Sequence, residues 1–100
     1  MSEVEVVVEN QIRELWKKRE FYFGGADEQK QIGELCSGLQ ETLHSGKIRD
    51  SNVYRKTRIN LDAFYDYVDM RHRNENMSDL EALQKIKGRR RELSSFLDSI

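Results

Sequence analysis

Between Lys47 and Ile59 the chain carries five basic side chains, Lys47, Arg49, Arg55, Lys56 and Arg58, against one acid, Asp50. Ammonium and guanidinium groups at that density suit phosphate contact, with Tyr54 as aromatic support. As an extended segment, residues 53–59 send Tyr54, Lys56 and Arg58 to one side and Val53, Arg55, Thr57 and Ile59 to the other. The same cations would equally serve an edge strand, where charge blocks pairing with another chain. A second basic run (Lys85, Lys87, Arg89, Arg90 and Arg91) falls in residues 84–91 with no acid, while residues 1–10 hold Glu3, Glu5 and Glu9 with no base. The formal net charge is −1, so any attraction for a polyanion has to come from this segregation. A solvated helix face accounts for either run as well.

Catalytic chemistry has little to work with. His44 and His72 have no cysteine pair near them, and no Cys-x-x-Cys metal spacing occurs. Cys36 falls on the apolar side of a helical pattern, where an inert buried thiol is expected rather than a nucleophile. Asp62, Asp66 and Asp69 form an acidic stripe with the spacing of a solvated helix face. Gly24-Gly25 is too short for a phosphate loop, and no Gly-Lys-Ser or Gly-Lys-Thr follows it. No enzyme, no metal site and no cofactor are expected.

The elements that must position these groups come from a short chain. At 100 residues, with 35% charged and 37% hydrophobic side chains, it supports one small domain with a thin core. Cys36 has no partner for an intrachain disulfide, which fits a reducing compartment. No apolar run approaches the roughly 20 residues that span a bilayer, and the acidic start lacks a signal-peptide core. A cytoplasmic protein with no membrane partner is expected.

Val4, Val6, Val7 and Val8 read as a short extended lead. Val8, Ile12, Leu15 and Trp16 then switch to helical spacing, predicting a helix over about residues 8–20. Phe21, Tyr22 and Phe23 before Gly24-Gly25 predict a chain reversal with the rings tucked inward. Asp27 stands near the start of a second helix with Ile32, Leu35, Cys36, Leu39 and Leu43 on one face. The Cys36-Ser37-Gly38 step offers a break, and Ser45-Gly46 a stop. Asp50-Ser51-Asn52 offers turn chemistry for a hairpin pairing residues 53–59 with Lys47-Ile48-Arg49. Asn60 would cap a following helix that buries Leu61, Phe64, Tyr65 and Val68. Ser78-Asp79-Leu80-Glu81 is a capping box opening the last helix. Its apolar residues are Leu80, Leu83, Ile86, Leu93, Phe96, Leu97 and Ile100, interrupted by Gly88 and the arginines.

Three stretches together, Leu39-Gln40-Glu41-Thr42-Leu43-His44-Ser45-Gly46-Lys47-Ile48, Tyr54-Arg55-Lys56-Thr57-Arg58-Ile59 and Leu61-Asp62-Ala63-Phe64, resemble the excisionase and MerR-like winged helix-turn-helix family over about residues 28–70. The resemblance implies a recognition helix in the DNA major groove, with Gln40 and Thr42 facing the bases. It also implies a basic wing on the backbone, formed by Lys47, Arg49, Tyr54, Arg55, Lys56 and Arg58. A regulator or recombination accessory factor of phage or mobile-element type would follow. The expected fold is therefore mainly α with a small β-hairpin, a winged-helix-like single domain over residues 1–100. Residues 1–25 would form the N-terminal helix and aromatic turn, residues 26–73 the winged core and residues 77–100 the C-terminal helix.

The expected partner is double-stranded DNA, with Lys87, Arg89 and Arg90 extending the phosphate footprint. Leu93, Phe96, Leu97 and Ile100 would dock on the core or form a homodimer interface. The other class that fits is a non-enzymatic protein-interaction module, a small inhibitor or adaptor working through its acidic stripe and apolar terminal helix. Convergence of the basic groups on one face would favour DNA. Scattering, or flanking by the acidic stripe, would favour the interaction module.

Overall fold

The computed structural model describes residues 2–99. Its elements are α1 (Glu3–Lys17), α2 (Ala26–His44), α3 (Ser51–Arg73), α4 (Asp79–Arg89) and α5 (Ser94–Asp98), with 3-10 turns at Arg19–Phe23 and Arg91–Leu93. The chain divides into two compact units, residues 1–61 and 62–100, and α3 contributes to both.

There is no strand among the described residues, and the expected β-hairpin is replaced by the first half of α3. Helical spacing explains the substitution. Val53, Thr57, Asn60 and Leu61 are all buried and recur at i, i+4, i+7 and i+8. Two of those four are polar, which disguises the stripe in the sequence. The side-chain hydroxyl of Thr57 donates back to the Val53 carbonyl at 2.7 Å, so it enters the interior without an unpaired group. Asp50 is not a hairpin turn residue but the cap of α3: its Oδ1 accepts from the Asn52 and Val53 N–H groups at 2.8 and 3.4 Å. Tyr54, Lys56 and Arg58 consequently do not share a face, because a helix turns them about 200° apart in successive pairs.

In the first unit, α1 starts at Glu3 and absorbs the valines that read as an extended lead. Ser2 caps it, its Oγ accepting the Glu5 N–H at 3.3 Å while Glu5 Oε1 accepts the Ser2 N–H at 2.9 Å. Val8, Ile12, Leu15 and Trp16 are buried as their spacing predicts. α2 runs unbroken through Cys36-Ser37-Gly38, buries Ile32, Cys36 and Leu39, and is followed by Gly46 at φ +76°, a left-handed turn that glycine adopts without strain. Val4, Val7 and Val8 line a groove with Thr42, and Glu14 and Lys18 line one with Gln31, Glu34 and Leu35. α1 and α2 therefore pack antiparallel. Tyr22 and Phe23 stay exposed, contrary to the expectation that they tuck inward; their rings pair edge to face with centroids 5.2 Å apart.

In the second unit, Ser78 caps α4 as expected, its Oγ accepting the Glu81 N–H at 3.1 Å. Ala63, Phe64, Tyr67, Val68, Ala82, Ile86, Leu93, Phe96 and Leu97 are buried. The single C-terminal helix expected over residues 77–100 is instead divided into α4, a 3-10 turn and α5, the break falling at the arginines that follow Gly88. Leu80 departs from its expected place among the apolar residues of that helix and is 71% exposed.

Candidate interaction surface

α3 enters the first unit as a buried spine. The Trp16 indole N–H donates to Asn60 Oδ1 at 2.9 Å, and Asn60 Nδ2 donates to the Lys56 carbonyl at 2.8 Å. Asn60 has no exposed surface, so it is an interior polar residue of α3 and not the cap of a later helix. With Val53, Thr57, Asn60 and Leu61 turned inward, Tyr54, Arg55 and Arg58 are turned to solvent. Lys47 and Arg49 are exposed on the segment leading into α3, while Ile48 between them is buried. Tyr54 is 39% exposed and lies one helical turn from Arg58.

The basic groups differ in what they touch, and Lys17, Lys30, Lys85 and Arg91 are exposed with no ion-pair partner among the described residues. Lys56 lies 3.7 Å from Glu9. In the second unit Arg89 and Arg90 both reach Asp66 Oδ2, at 3.2 and 2.9 Å, and Lys87 pairs with Asp98. Asp69 holds Arg73 at 3.1 Å. The acidic stripe thus binds the arginines that were expected to reach phosphate. Lys47, Arg49 and Arg58 have no ion-pair partner among the described residues. Of the two groups expected to face bases, Gln40 is exposed, whereas Thr42 is half-buried and its hydroxyl donates to the Gly38 carbonyl at 2.9 Å. Glu41 beside them is exposed. Leu93, Phe96 and Leu97 are buried in the second unit; Ile100 lies outside the described residues.

Two groups with shifted titration were not picked out from the sequence. Glu5 is only 5% exposed. Its carboxyl is held below the usual value first by the Ser2 N–H, then by the Asp50 N–H, which donates to Oε2 at 3.0 Å; burial opposes them. The Ser2-x-x-Glu5 spacing is a capping box in the sequence, but its link to Asp50 is not visible there. Tyr67 is fully buried, its hydroxyl donating to Asp79 Oδ1 at 2.6 Å and accepting from Arg71 Nη1 at 2.9 Å. Burial pushes its phenol well up, the Asp79 bond and charge add to that, and Arg71 opposes.

Among the described residues no group of three or more His, Cys, Asp or Glu side chains is placed to hold a metal ion. None of the described helices is long and apolar enough to cross a membrane. Comparison with known protein families, with characterised proteins and with solved structures finds no match for this chain.

Proposed function

We propose that this chain is a non-enzymatic interaction module whose working surface is the cationic segment 47–58 of the first unit, and that it takes an acidic protein segment as partner. The observation that carries this is the concentration, within one short segment, of exposed cations that have no ion pair among the described residues. Lys56, Lys87, Arg89 and Arg90 are matched to acids of their own unit. Lys47, Arg49 and Arg58 are exposed and have no ion-pair partner among the described residues, as is true of Lys17, Lys30, Lys85 and Arg91, but segment 47–58 alone gathers three of them with an exposed tyrosine, Tyr54. Arginine and tyrosine are the residue types that dominate protein interfaces, because each offers a large contact area with a polar tip.

DNA binding is the second reading, favoured by the same unmatched cations. It would rest on few phosphates: about four contacts give a log–log salt slope near −3.6. Phosphate contacts alone position a protein without specifying sequence, and α2 offers the exposed Glu41 and a Thr42 hydroxyl already engaged at Gly38. A fluorescence-anisotropy titration with labelled poly-glutamate and with a short DNA duplex, each at two salt concentrations, separates the readings. Saturable, salt-sensitive binding of poly-glutamate at micromolar protein is expected, with the duplex weaker. Tighter binding of the duplex would favour DNA, and binding of neither would refute both.

A further inference from the structure

Glu5 does more than cap its own helix. A capping-box glutamate needs one oxygen for the N-cap amide, and Glu5 gives Oε1 to the Ser2 N–H at 2.9 Å. Its other oxygen, Oε2, accepts the Asp50 N–H at 3.0 Å, across 45 positions of sequence. Asp50 in turn caps α3 through Oδ1. One nearly buried carboxylate therefore ties the first turn of α1 to the residue at which the cationic segment passes from loop to helix. Lys47 and Arg49 lie just before that point, and Tyr54 and Arg58 just after it. Ser45 Oγ accepts the Lys47 N–H at 3.2 Å, a bond local to the loop; the Glu5 bond at Asp50 fixes its far end to α1.

We propose that Glu5 is a positioning residue for the cationic surface: it holds the loop so that Lys47 and Arg49 are presented together with Arg58 to one acidic ligand. This rests on the proposed role of that surface as a site for an acidic partner. The proposal has a sign opposite to that of simple electrostatics. Glu5 is an anion close to a surface that binds anions, as are Glu9, which faces Lys56, and Asp50 itself. By Coulomb's law alone, removing the Glu5 carboxylate strengthens binding of an acidic ligand. If Glu5 works by posture, removing it weakens binding, because two long cationic side chains must then be ordered from a free loop.

The test uses the full chain and labelled poly-glutamate as probe, with amide hydrogen exchange at Asp50 measured alongside. Glu5→Ala is expected to lower affinity about three- to tenfold and to accelerate exchange at Asp50. Ser2→Ala, which loosens only the α1 cap, is expected to leave both within about twofold of wild type. Should Glu5→Ala fail to fold, Glu5→Gln replaces it. Gln has a single acceptor oxygen and is expected to weaken binding less than Ala does. Unchanged or increased affinity in the Glu5 variant, with Asp50 exchange accelerated, overturns the proposal. So does unchanged Asp50 exchange. Absence of wild-type binding to poly-glutamate removes the surface assignment itself and the role of Glu5 with it, a result distinguishable because the exchange measurement still reports the clasp.

Discussion

Asn60→Asp separates a long α3 from a helix that starts after Asn60. Were Asn60 an N-cap, aspartate would serve as well, since both are preferred caps. As an interior residue with 0% exposure, it accepts from the Trp16 indole and donates to the Lys56 carbonyl. Aspartate keeps the first bond and sets a carboxylate oxygen against the carbonyl oxygen at the second. The lost hydrogen bond costs about 1 kcal/mol, and a buried charge without a compensating cation about 3–5 kcal/mol. Together a loss of about 4–6 kcal/mol at neutral pH is expected, a large part of the stability of a small domain. Burial raises the new carboxyl above its unfolded value of about 3.9. The variant is therefore least impaired below about pH 4 and loses stability as pH rises towards neutrality. Trp16 is the only tryptophan and touches the substituted residue, so its fluorescence in a urea titration follows the first unit. A change within about 0.5 kcal/mol of wild type, with no dependence on pH, would refute a buried Asn60 and with it the helix register of residues 51–61.

Tyr67→Phe should cost about 1–2 kcal/mol, because it leaves Asp79 and Arg71 without the hydroxyl between them. In a spectrophotometric titration between about pH 9 and 11 its phenolate amplitude should match wild type, since Tyr67 does not ionise in that range; a drop of one quarter in amplitude would contradict its burial. Leu93→Ala should cost about 2–5 kcal/mol by urea denaturation, as befits a side chain 2% exposed, and a negligible cost would mean it is not docked. The lowered Glu5 carboxyl contributes stability above its unfolded value of about 4.5 that is lost as pH falls through its folded value. Acid denaturation of Glu5→Gln should accordingly be shallower than that of wild type, and an identical profile would count against the Asp50 bond.

Much of the helical content was legible because purely apolar stripes declare their period. Val8, Ile12, Leu15 and Trp16 in α1, and Ile32, Cys36 and Leu39 in α2, have no polar member to confuse the pattern. Residues 53–59 misled because two of the inward residues of α3, Thr57 and Asn60, are polar and are satisfied by a backbone carbonyl and by Trp16. Val53 and Ile59, with a tyrosine and a threonine, then mimic strand composition, and local β propensity yields to the burial available in a helix. Asp50-Ser51-Asn52 fits a turn or a cap equally, so the sequence left that choice open. The surface was only half legible. The cations between Lys47 and Arg58 were visible as a cluster, but which of the others are neutralised depends on contacts between distant positions. Asp66 with Arg89 and Arg90, and Glu9 with Lys56, are of that kind.

Charge reversal tests most directly whether the unmatched cations of segment 47–58 are the working surface. Lys47→Glu/Arg49→Glu/Arg58→Glu is compared with Lys85→Glu/Arg91→Glu, which alters exposed cations of the second unit, in a poly-glutamate anisotropy titration at low salt. The triple variant is predicted to lose binding by about 100-fold or more, and the second-unit variant to stay within about twofold of wild type. Equal losses in the two variants, or an unimpaired triple variant that remains folded, would contradict it.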